Sequence, residues 1–433
     1  MKQFTVFFVY THMKIVHKLI LSALLFVLVM PVSAAYILIP MDESQENHLK
    51  AYGITYWTLQ NDVDSWWLLN YNGGSFLIPY YPEIENECVV RGVSYTTIAD
   101  AKKNQIFSKI AQADVNMESI KLEKAPKVAI YSPPGKQPWD DAVTLALTYA
   151  EIPYDVIYDT EIIEGKLADY DWLHLHHEDF TGQYGKFYGA YHHMQWYQQQ
   201  KRDAEALAAS LGFEKVSELK LFVAQTIKSY VSQGGFLFAM CSASDSFDIA
   251  LAASDVDICG PMFDGDPADP NAQEKLDYSK CLAFRDFTLK MNPYEYEYSN
   301  IDVTQSRKVS EDEDYFTLFE FSAKWDPVPT MLCQNHTFMV KGFMGQTTAY
   351  NTELIKPDVL VMGENKSAGE ARYLHGEFGK GTWTFLGGHD PEDYRHFVGD
   401  EKTELELHPN SPGYRLILNN ILFPAAKKKK IKT

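Results

Sequence analysis

The sequence predicts an α/β protein: a parallel sheet with helices on both faces, plus an inserted antiparallel β subdomain. From residue 126 onward, short apolar runs alternate with segments of helical apolar spacing. This pattern is typical of buried parallel strands joined by helical crossovers. Between about residues 255 and 370 the alternation stops, and turn-rich sequence with period-two apolar spacing replaces it.

Each element of the parallel sheet is read from an apolar run. The predicted strands are "KVAIYS", "YDVIYD", "YDWLHLHH", "FLFAM" and "GTWTFLGG". The predicted helices are "QPWDDAVTLALTYAEI" with Pro138 in its first turn, a long stretch that ends at Gly234, a helix from Phe247, and "SPGYRLILNNILF". In the insertion, "YEYEYSNIDV", "DYFTLFEFSA" and "HTFMVKGFMG" are expected to form antiparallel strands.

The sequence predicts four segments, one of which contains an insertion. Residues 1–34 are a predicted signal peptide and residues 35–120 a small α/β region, whose first helix has Ser44 as its expected cap. Residues 126–425 form the main domain, with its insertion at about 255–370, and 426–433 are a basic tail.

The signal peptide is inferred from "MKIVHKLILSALLFVLVMPVSAA", in which lysines precede an apolar run and a small-x-small pattern ends at Ala34. An uncleaved anchor is the alternative, but the run is short for a membrane span. We therefore expect an exported protein, periplasmic or secreted.

The net charge restricts the expected binding partners, and the cysteine content restricts the possible disulfides. Removing the three lysines of residues 1–34 changes the net charge from −19 to about −22, which argues against a nucleic acid partner. The tail "KKKKIKT" indicates a solvated end or peripheral contact with an anionic membrane surface. The five cysteines contain no CxxC pattern, and up to two disulfides could form among them.

Histidines and acids are concentrated in the loops that follow the predicted strands. Ligands of open parallel sheets bind at the carboxyl ends of the strands. Cys241 lies between "FLFAM" and a helix, with Ala239 and Ala243 two residues to either side. Small residues around such a sharp turn are typical of a nucleophile elbow. The alternative is a buried structural thiol.

A base for Cys241 is offered by "GGHDPED", where His389 follows a late strand and Asp390 or Glu392 would orient it. Further candidates lie in the same loops. The predicted substrate-binding residues are Ser242, Asp245, Trp139, Asp140, His177 and Tyr184. The aromatic stretch "KFYGAYHHMQWY" would form a pocket wall or a lid.

The segment "HLHHED" suggests a metal site, with zinc or iron as the possible cofactor. Its candidate ligands are His174, His176, Glu178 and Asp179, and His193, His389 or His408 could complete the set. In the alternative interpretation the two acids cap the following segment and the histidines form local hydrogen bonds.

Together, the sheet, the cysteine turn and the histidine-acid element resemble the class I glutamine amidotransferase-like fold, over roughly residues 126–425. The resemblance implies a flavodoxin-like sheet. It also implies a catalytic triad that would comprise Cys241, His389 and either Glu392 or Asp390.

The whole chain is similar to exported bacterial proteins commonly labelled asparagine synthetase B, from "LIPMDESQENHLKAYGI" to "LHPNSPGYRLILNNILFPA". Synthetase chemistry is not expected, since "SASDS" at residues 242–246 lacks the glycines of a pyrophosphate loop. We expect an amidase or hydrolase acting on a small molecule, glycan or peptide. The alternatives are a non-catalytic binding protein for an envelope glycan or protein, and a metal-dependent hydrolase.

Overall fold

The computed structural model describes residues 35–134, 141–397 and 399–426. The predicted signal peptide, the basic tail from residue 427 and the predicted helical turn at Pro138 lie outside these residues. The fold is mixed α/β, with two sheets and helices on both faces of the larger one.

The smaller sheet is antiparallel, with strand order β4-β1-β3-β2-β5. Its strands are β1 (Ala35–Ile39), β2 (Ser65–Leu69), β3 (Ser75–Pro79), β4 (Thr96–Ala99) and β5 (Glu118–Leu122). Its helices are α1 (His48–Gln60), α2 (Pro82–Val90) and α3 (Asp100–Ile110).

The cap of α1 differs from the prediction. Asn47 is the N-cap, and its side chain accepts a hydrogen bond from the backbone N–H of Lys50. The hydroxyl of Ser44 instead donates to the Asp42 carboxylate. Asn and Ser are about equally good caps, so the local pattern did not distinguish them.

The larger sheet has ten strands, nine of them in the order β11-β10-β13-β14-β15-β9-β8-β6-β7, and β12 pairs with β14. The strands are β6 (Val128–Tyr131), β7 (Asp155–Ile157), β8 (Trp172–Leu175), β9 (Phe236–Met240), β10 (Tyr315–Leu318), β11 (Met339–Lys341), β12 (Tyr350–Asn351), β13 (Leu360–Asn365), β14 (Glu370–Phe378) and β15 (Gly381–Leu386). Strands β7, β6, β8, β9 and β15 are mutually parallel.

The insertion does not form a separate β subdomain. Strand β15 pairs in parallel with β9 on one side and antiparallel with β14 on the other. Strands β14, β13, β10 and β11 therefore continue the same sheet. The predicted strand "YEYEYSNIDV" forms only isolated bridges, at Ser299 and Asp302.

The remaining helices are α4 (Ala142–Ala150), α5 (Asp159–Ile163), α6 (Tyr188–Tyr191), α7 (Gln195–Ser210), α8 (Val216–Gln233), α9 (Ser242–Ala252), α10 (Pro261–Asp264), α11 (Pro327–Leu332) and α12 (Pro412–Leu422). The long predicted helix is two helices, α7 and α8, because Gly212 adopts a left-handed conformation (φ +88°) and ends the first. Helix α9 begins at Ser242 rather than at Phe247.

One hydrophobic core joins the two sheets. Trp67 and Phe76 of the smaller sheet belong to the same buried cluster as Phe238 of β9 and Tyr414 of α12. A second cluster on the opposite face of the larger sheet includes Leu237 and the buried side of α8 and α9. No helix within residues 35–134, 141–397 and 399–426 is both long enough and apolar enough to cross a membrane.

Candidate functional site

The carboxyl ends of three neighbouring parallel strands form the site. His176 and His177 follow β8, Cys241 follows β9, and His389 follows β15 after two glycines. His177, Cys241 and His389 line one cavity of about 630 Å³. The structure thus brings together groups that lie far apart in the sequence.

Cys241 sits on a sharp strand-to-helix turn. Its backbone has φ +52° and ψ −141°, between the end of β9 and the start of α9. Non-glycine residues rarely adopt a positive φ, and such strain is concentrated at functional sites. This backbone is the one that the elbow interpretation requires.

The thiol of Cys241 is buried, and burial raises its pKa to about 11. The backbone N–H groups of Ser242, Gln346 and Thr347 oppose this rise because they favour the thiolate. A Cβ atom on Gly345 would lie 3.0 Å from the sulfur and 2.8 Å from the backbone nitrogen of His389. Gly345 therefore permits the close packing of the two loops.

The imidazole of His389 stacks in parallel on that of His396, with ring centroids 4.6 Å apart. Its centroid also lies 4.4 Å from that of His176. Among the residues that the structure describes, neither ring nitrogen of His389 has a hydrogen-bond partner. Burial and the nearby histidines hold the pKa of His389 well below its usual range, so the ring is neutral at neutral pH.

Asp141 holds two of the histidines. Its carboxylate lies 3.1 Å from Nδ1 of His176 and 3.3 Å from Nε2 of His174. The same carboxylate caps α4 by accepting the N–H of Val143 at 2.7 Å. Burial alone would raise the pKa of Asp141, but the two imidazoles hold it well below its usual range.

Among the described residues, two groups at this site bring their ligand atoms close enough together to hold a metal ion. His176, His177 and His389 each offer one ligand atom, and these atoms all lie within 4.8 Å of one another. Asp141, His174 and His176 form the second group. His174 and His176 thus lie together, as predicted for the metal site. The other members of the two groups are Asp141, His177 and His389 rather than the predicted acids.

Glu178 and Asp179 do not join these groups. The Asp179 carboxylate accepts hydrogen bonds from the N–H and hydroxyl of Thr181 and from the N–H of Gly185. This local capping matches the alternative interpretation of "HLHHED". Burial raises the pKa of Glu178 to about 7. His193, another suggested ligand, is exposed.

Asp390 and Glu392 do not orient His389 through a hydrogen bond, since its ring nitrogens have no such partner in the described part of the chain. Asp390 accepts hydrogen bonds from the backbone of Glu392 and the hydroxyl of Thr403. Glu392 pairs with His408 at 3.0 Å. The turn at residues 390–393 directs both carboxylates to these other partners.

The candidate substrate-binding residues fall into three groups. His177 lines the cavity. Ser242 and Asp245 are buried in the first turn of α9, where Asp245 accepts a hydrogen bond from the Thr347 hydroxyl. Tyr184 is also buried, and it packs against Tyr197. Trp139 and Asp140 lie outside the described residues.

Other cavity residues were not identified as functional from the sequence. They include Arg395, His396 and Gln346. No motif marks Gln346 or His396, because their places in the site depend on how the loop between β11 and β12 and the loop after β15 fold back. The segment "KFYGAYHHMQWY" did signal a pocket wall, and Phe187 and Tyr191 line the cavity.

All five cysteines lie within the described part of the chain, and each is a buried free thiol. The disulfides that the sequence allowed are therefore not formed in this structure.

No family model matches the chain, and no curated protein matches it. The solved structures similar to it include the cytoplasmic proteins STM3548 and STM1381 of Salmonella typhimurium, each with 11% identity and a TM-score of 0.34 over 70% of this chain and all of theirs. Gan42B, a GH42 beta-galactosidase, matches at 12% identity and a TM-score of 0.25 over 61% of this chain and 28% of its own. Likenesses at these scores carry no argument about function.

Proposed function

We propose that this protein is a metal-dependent hydrolase whose metal ion is held by His176, His177 and His389. The observation that carries the proposal is the convergence of three imidazole ligand atoms, within 4.8 Å of one another, beside a cavity. Three histidines with an open fourth position are one known arrangement of catalytic zinc sites.

Unpartnered nitrogens support this proposal. Nε2 of His176 and both ring nitrogens of His389 are buried without a hydrogen-bond partner in the described part of the chain. Leaving a buried polar atom unpaired costs about 1–3 kcal/mol. A bound cation would satisfy one nitrogen on each ring.

Asp141 supports it further. Metal-binding histidines commonly donate their second ring N–H to a carboxylate, which fixes the tautomer and the ring orientation. Nδ1 of His176 lies 3.1 Å from the Asp141 carboxylate, which leaves its Nε2 for a metal. Burial lowers the pKa of His177 and of His389, and the neutral imidazole is the form that binds metals.

A metal ion at this position would lower the pKa of a bound water and supply hydroxide near neutral pH. With His176, His177 and His389 holding the ion, the chemistry that it would supply is the activation of water for hydrolysis of an amide or ester. The chain's own contribution is the fixed set of imidazoles and the cavity beside them.

A flavodoxin-like arrangement of the parallel strands is part of the proposal. The order β7-β6-β8-β9-β15 supports it, because numbering these strands along the chain gives 2-1-3-4-5, the flavodoxin-like order. In such sheets ligands bind at the carboxyl edge. We also propose that the protein is exported, on the basis of its first 34 residues.

A second candidate is an amidase with Cys241 as nucleophile and His389 as general base, as in the class I amidotransferase-like enzymes. The positive φ of Cys241 favours it. The backbone N–H groups of Ser242, Gln346 and Thr347 would then stabilise an oxyanion. The high pKa of the thiol means that His389 would have to remove its proton during the reaction.

Metal analysis of the purified protein, prepared without chelators, tests the first candidate. We expect about one zinc or iron ion per chain, and its loss in His177→Ala and His389→Ala. The matched control is His375→Ala, which removes a buried histidine of β14 that bonds to Thr384 instead.

Hydrolysis of p-nitroanilides and p-nitrophenyl esters should stop with EDTA and return with metal. The proposal would be contradicted if the purified wild-type protein contained no metal. It would also be contradicted if His177→Ala and His389→Ala both kept the full metal content. Loss of hydrolysis in Cys241→Ala with an unchanged metal content, together with resistance to EDTA, would favour the second candidate.

A further inference from the structure

The charge of the cavity is opposite to that of the protein. The chain has 58 acidic and 39 basic residues. Of the described residues that line the cavity, none is Asp or Glu, whereas Lys186 and Arg395 both line it. A cationic cavity in an acidic protein indicates selection for the charge of its ligand, since the cavity walls focus the local field.

Lys186 is held in the cavity by a strained loop. Tyr184, Gly185 and Lys186 have successive φ values of +51°, +68° and +56°. The Asp179 carboxylate accepts the N–H of Gly185, and the Gln346 side chain donates to the carbonyl of Gly185 at 2.7 Å. A positive φ is unfavourable for a non-glycine residue because its Cβ atom comes too close to the following carbonyl oxygen. The surrounding contacts offset this cost and fix the direction of Lys186.

The ammonium group of Lys186 is buried, and no carboxylate of the described residues forms an ion pair with it. It donates to the carbonyl oxygens of Lys290 at 2.7 Å and Asn292 at 3.3 Å. An ammonium has three donors, so one remains for a ligand. Burial lowers the pKa of Lys186 to about 8, and the group is therefore still mostly charged at neutral pH.

Arg395 lies on an exposed stretch of the chain at the cavity, and the described residues offer it no carboxylate partner. The ring of Tyr394 lies 5.9 Å from its guanidinium carbon. A guanidinium presents a planar set of donors that fits carboxylates and phosphates. Arg395 is thus free to pair with an anion that enters the cavity.

Aromatic side chains form another part of the lining, among them Phe187, Tyr191, Tyr294 and Tyr296. Phe187 and Tyr296 contact each other with ring centroids 5.8 Å apart. Walls of this kind favour a planar or apolar group.

We propose that the cavity binds substrates carrying an anionic group, a carboxylate or a phosphate, which pairs with Lys186 and Arg395 while a planar portion packs on the aromatic wall. This inference names the substrate class of the proposed hydrolase and rests on that function. The two ligand sources share one chemistry, and the test below separates them.

The test is calorimetric titration of the full chain, both metal-loaded and after metal removal by EDTA. The probes are a panel of aryl carboxylates that includes N-benzoylglycine, aryl phosphates that include phenyl phosphate, and the neutral benzoylglycinamide. We expect at least one anionic series to bind at least about tenfold more tightly than the neutral amide, with or without metal. The tighter series identifies the anion.

Lys186→Gln and Arg395→Gln should each weaken anion binding about tenfold or more, whereas Lys366→Gln, an exposed lysine outside the cavity, should leave it unchanged. Arg395→Gln keeps the test valid if the buried Lys186 variant does not fold. Equal affinity for the neutral amide, no binding of any anion, or anion binding that is insensitive to Arg395→Gln would overturn the inference. Binding that survives metal removal but accompanies no hydrolysis would contradict the proposed function and leave this inference standing.

Discussion

The imidazoles of His176 and His389 lie 4.4 Å apart, although one follows β8 and the other follows β15. Strand β9 lies between these two strands in the sheet, and Cys241 follows it. The contact exists because all three strands are parallel and end at the same edge.

Asp141→Asn should weaken metal binding without loss of the helix cap. Asparagine caps a helix about as well as aspartate, so the N–H of Val143 keeps its acceptor. The carboxylate that orients His176 is removed, however, and loss of a group that orients a metal-binding histidine typically costs about 10–100-fold in metal affinity. Competition with a chromophoric chelator measures this affinity. Unchanged affinity would show that Asp141 does not act through His176.

Gly345→Ala should disturb the site with little effect on the rest of the fold. The new methyl group would lie 2.8 Å from the backbone nitrogen of His389 and 3.0 Å from the sulfur of Cys241, so one of the two loops must move. We expect lower metal affinity and lower hydrolysis. The control is Gly260→Ala, whose methyl group would meet only the Met262 sulfur at 3.6 Å. Equal behaviour of the two variants would contradict the packing described here.

Cys241→Gly should be at least as stable as Cys241→Ala. At an unstrained site glycine is less stable than alanine by about 0.5–1 kcal/mol because of its greater freedom in the unfolded chain. The φ of +52° at Cys241 penalises alanine but not glycine. Denaturant unfolding of the two variants gives the comparison. A glycine variant that is less stable by about 1 kcal/mol would mean that the turn is not strained.

Stability should fall as the pH drops from about 6.5 towards 4. Burial lowers the pKa of His375 to about 4, so the unfolded chain binds a proton in this window that the folded chain does not. Between pH 8 and pH 5 this residue should remove about 2 kcal/mol from the free energy of unfolding. The stabilisation is complete above the unfolded pKa.

His375→Asn should reduce this loss by about the same amount, as measured by urea unfolding at pH 8 and pH 5. His48, whose pKa burial also lowers to about 4, should contribute the same trend in wild type and variant. An identical pH dependence with and without His375 would contradict the assignment.

The sequence predicted the parallel strands and the polar loops at their carboxyl ends, because buried apolar runs and the polar residues after them are local signals. His176, His177, Cys241 and His389 were all identified in this way. The sequence could not predict that the insertion extends the same sheet, since the pairing of β14 with β15 depends on contacts between whole strands. The strand pattern of the insertion is compatible with either arrangement.

The partners of the site residues were also beyond local signals. Spacing suggested that Asp390 or Glu392 would orient His389, but the fold of residues 390–393 turns both carboxylates away. Asp141 was read only as part of a helix start, and its contact with His176 depends on the junction of two strand-end loops. Lys186 begins the aromatic stretch "KFYGAYHHMQWY", but its direction into the cavity depends on three successive residues at positive φ, which no local pattern marks.

X-ray absorption at the edge of the bound metal, with metal content measured on the same sample of purified protein, tests the three-histidine metal site most directly. We expect about one ion per chain, imidazole scattering from three histidines, and nitrogen ligands at about 2.0–2.1 Å if the ion is zinc. The outer-shell imidazole signal should fall in His177→Ala and in His389→Ala. A protein without bound metal, or a spectrum with a sulfur ligand at about 2.3 Å in place of imidazoles, would contradict it.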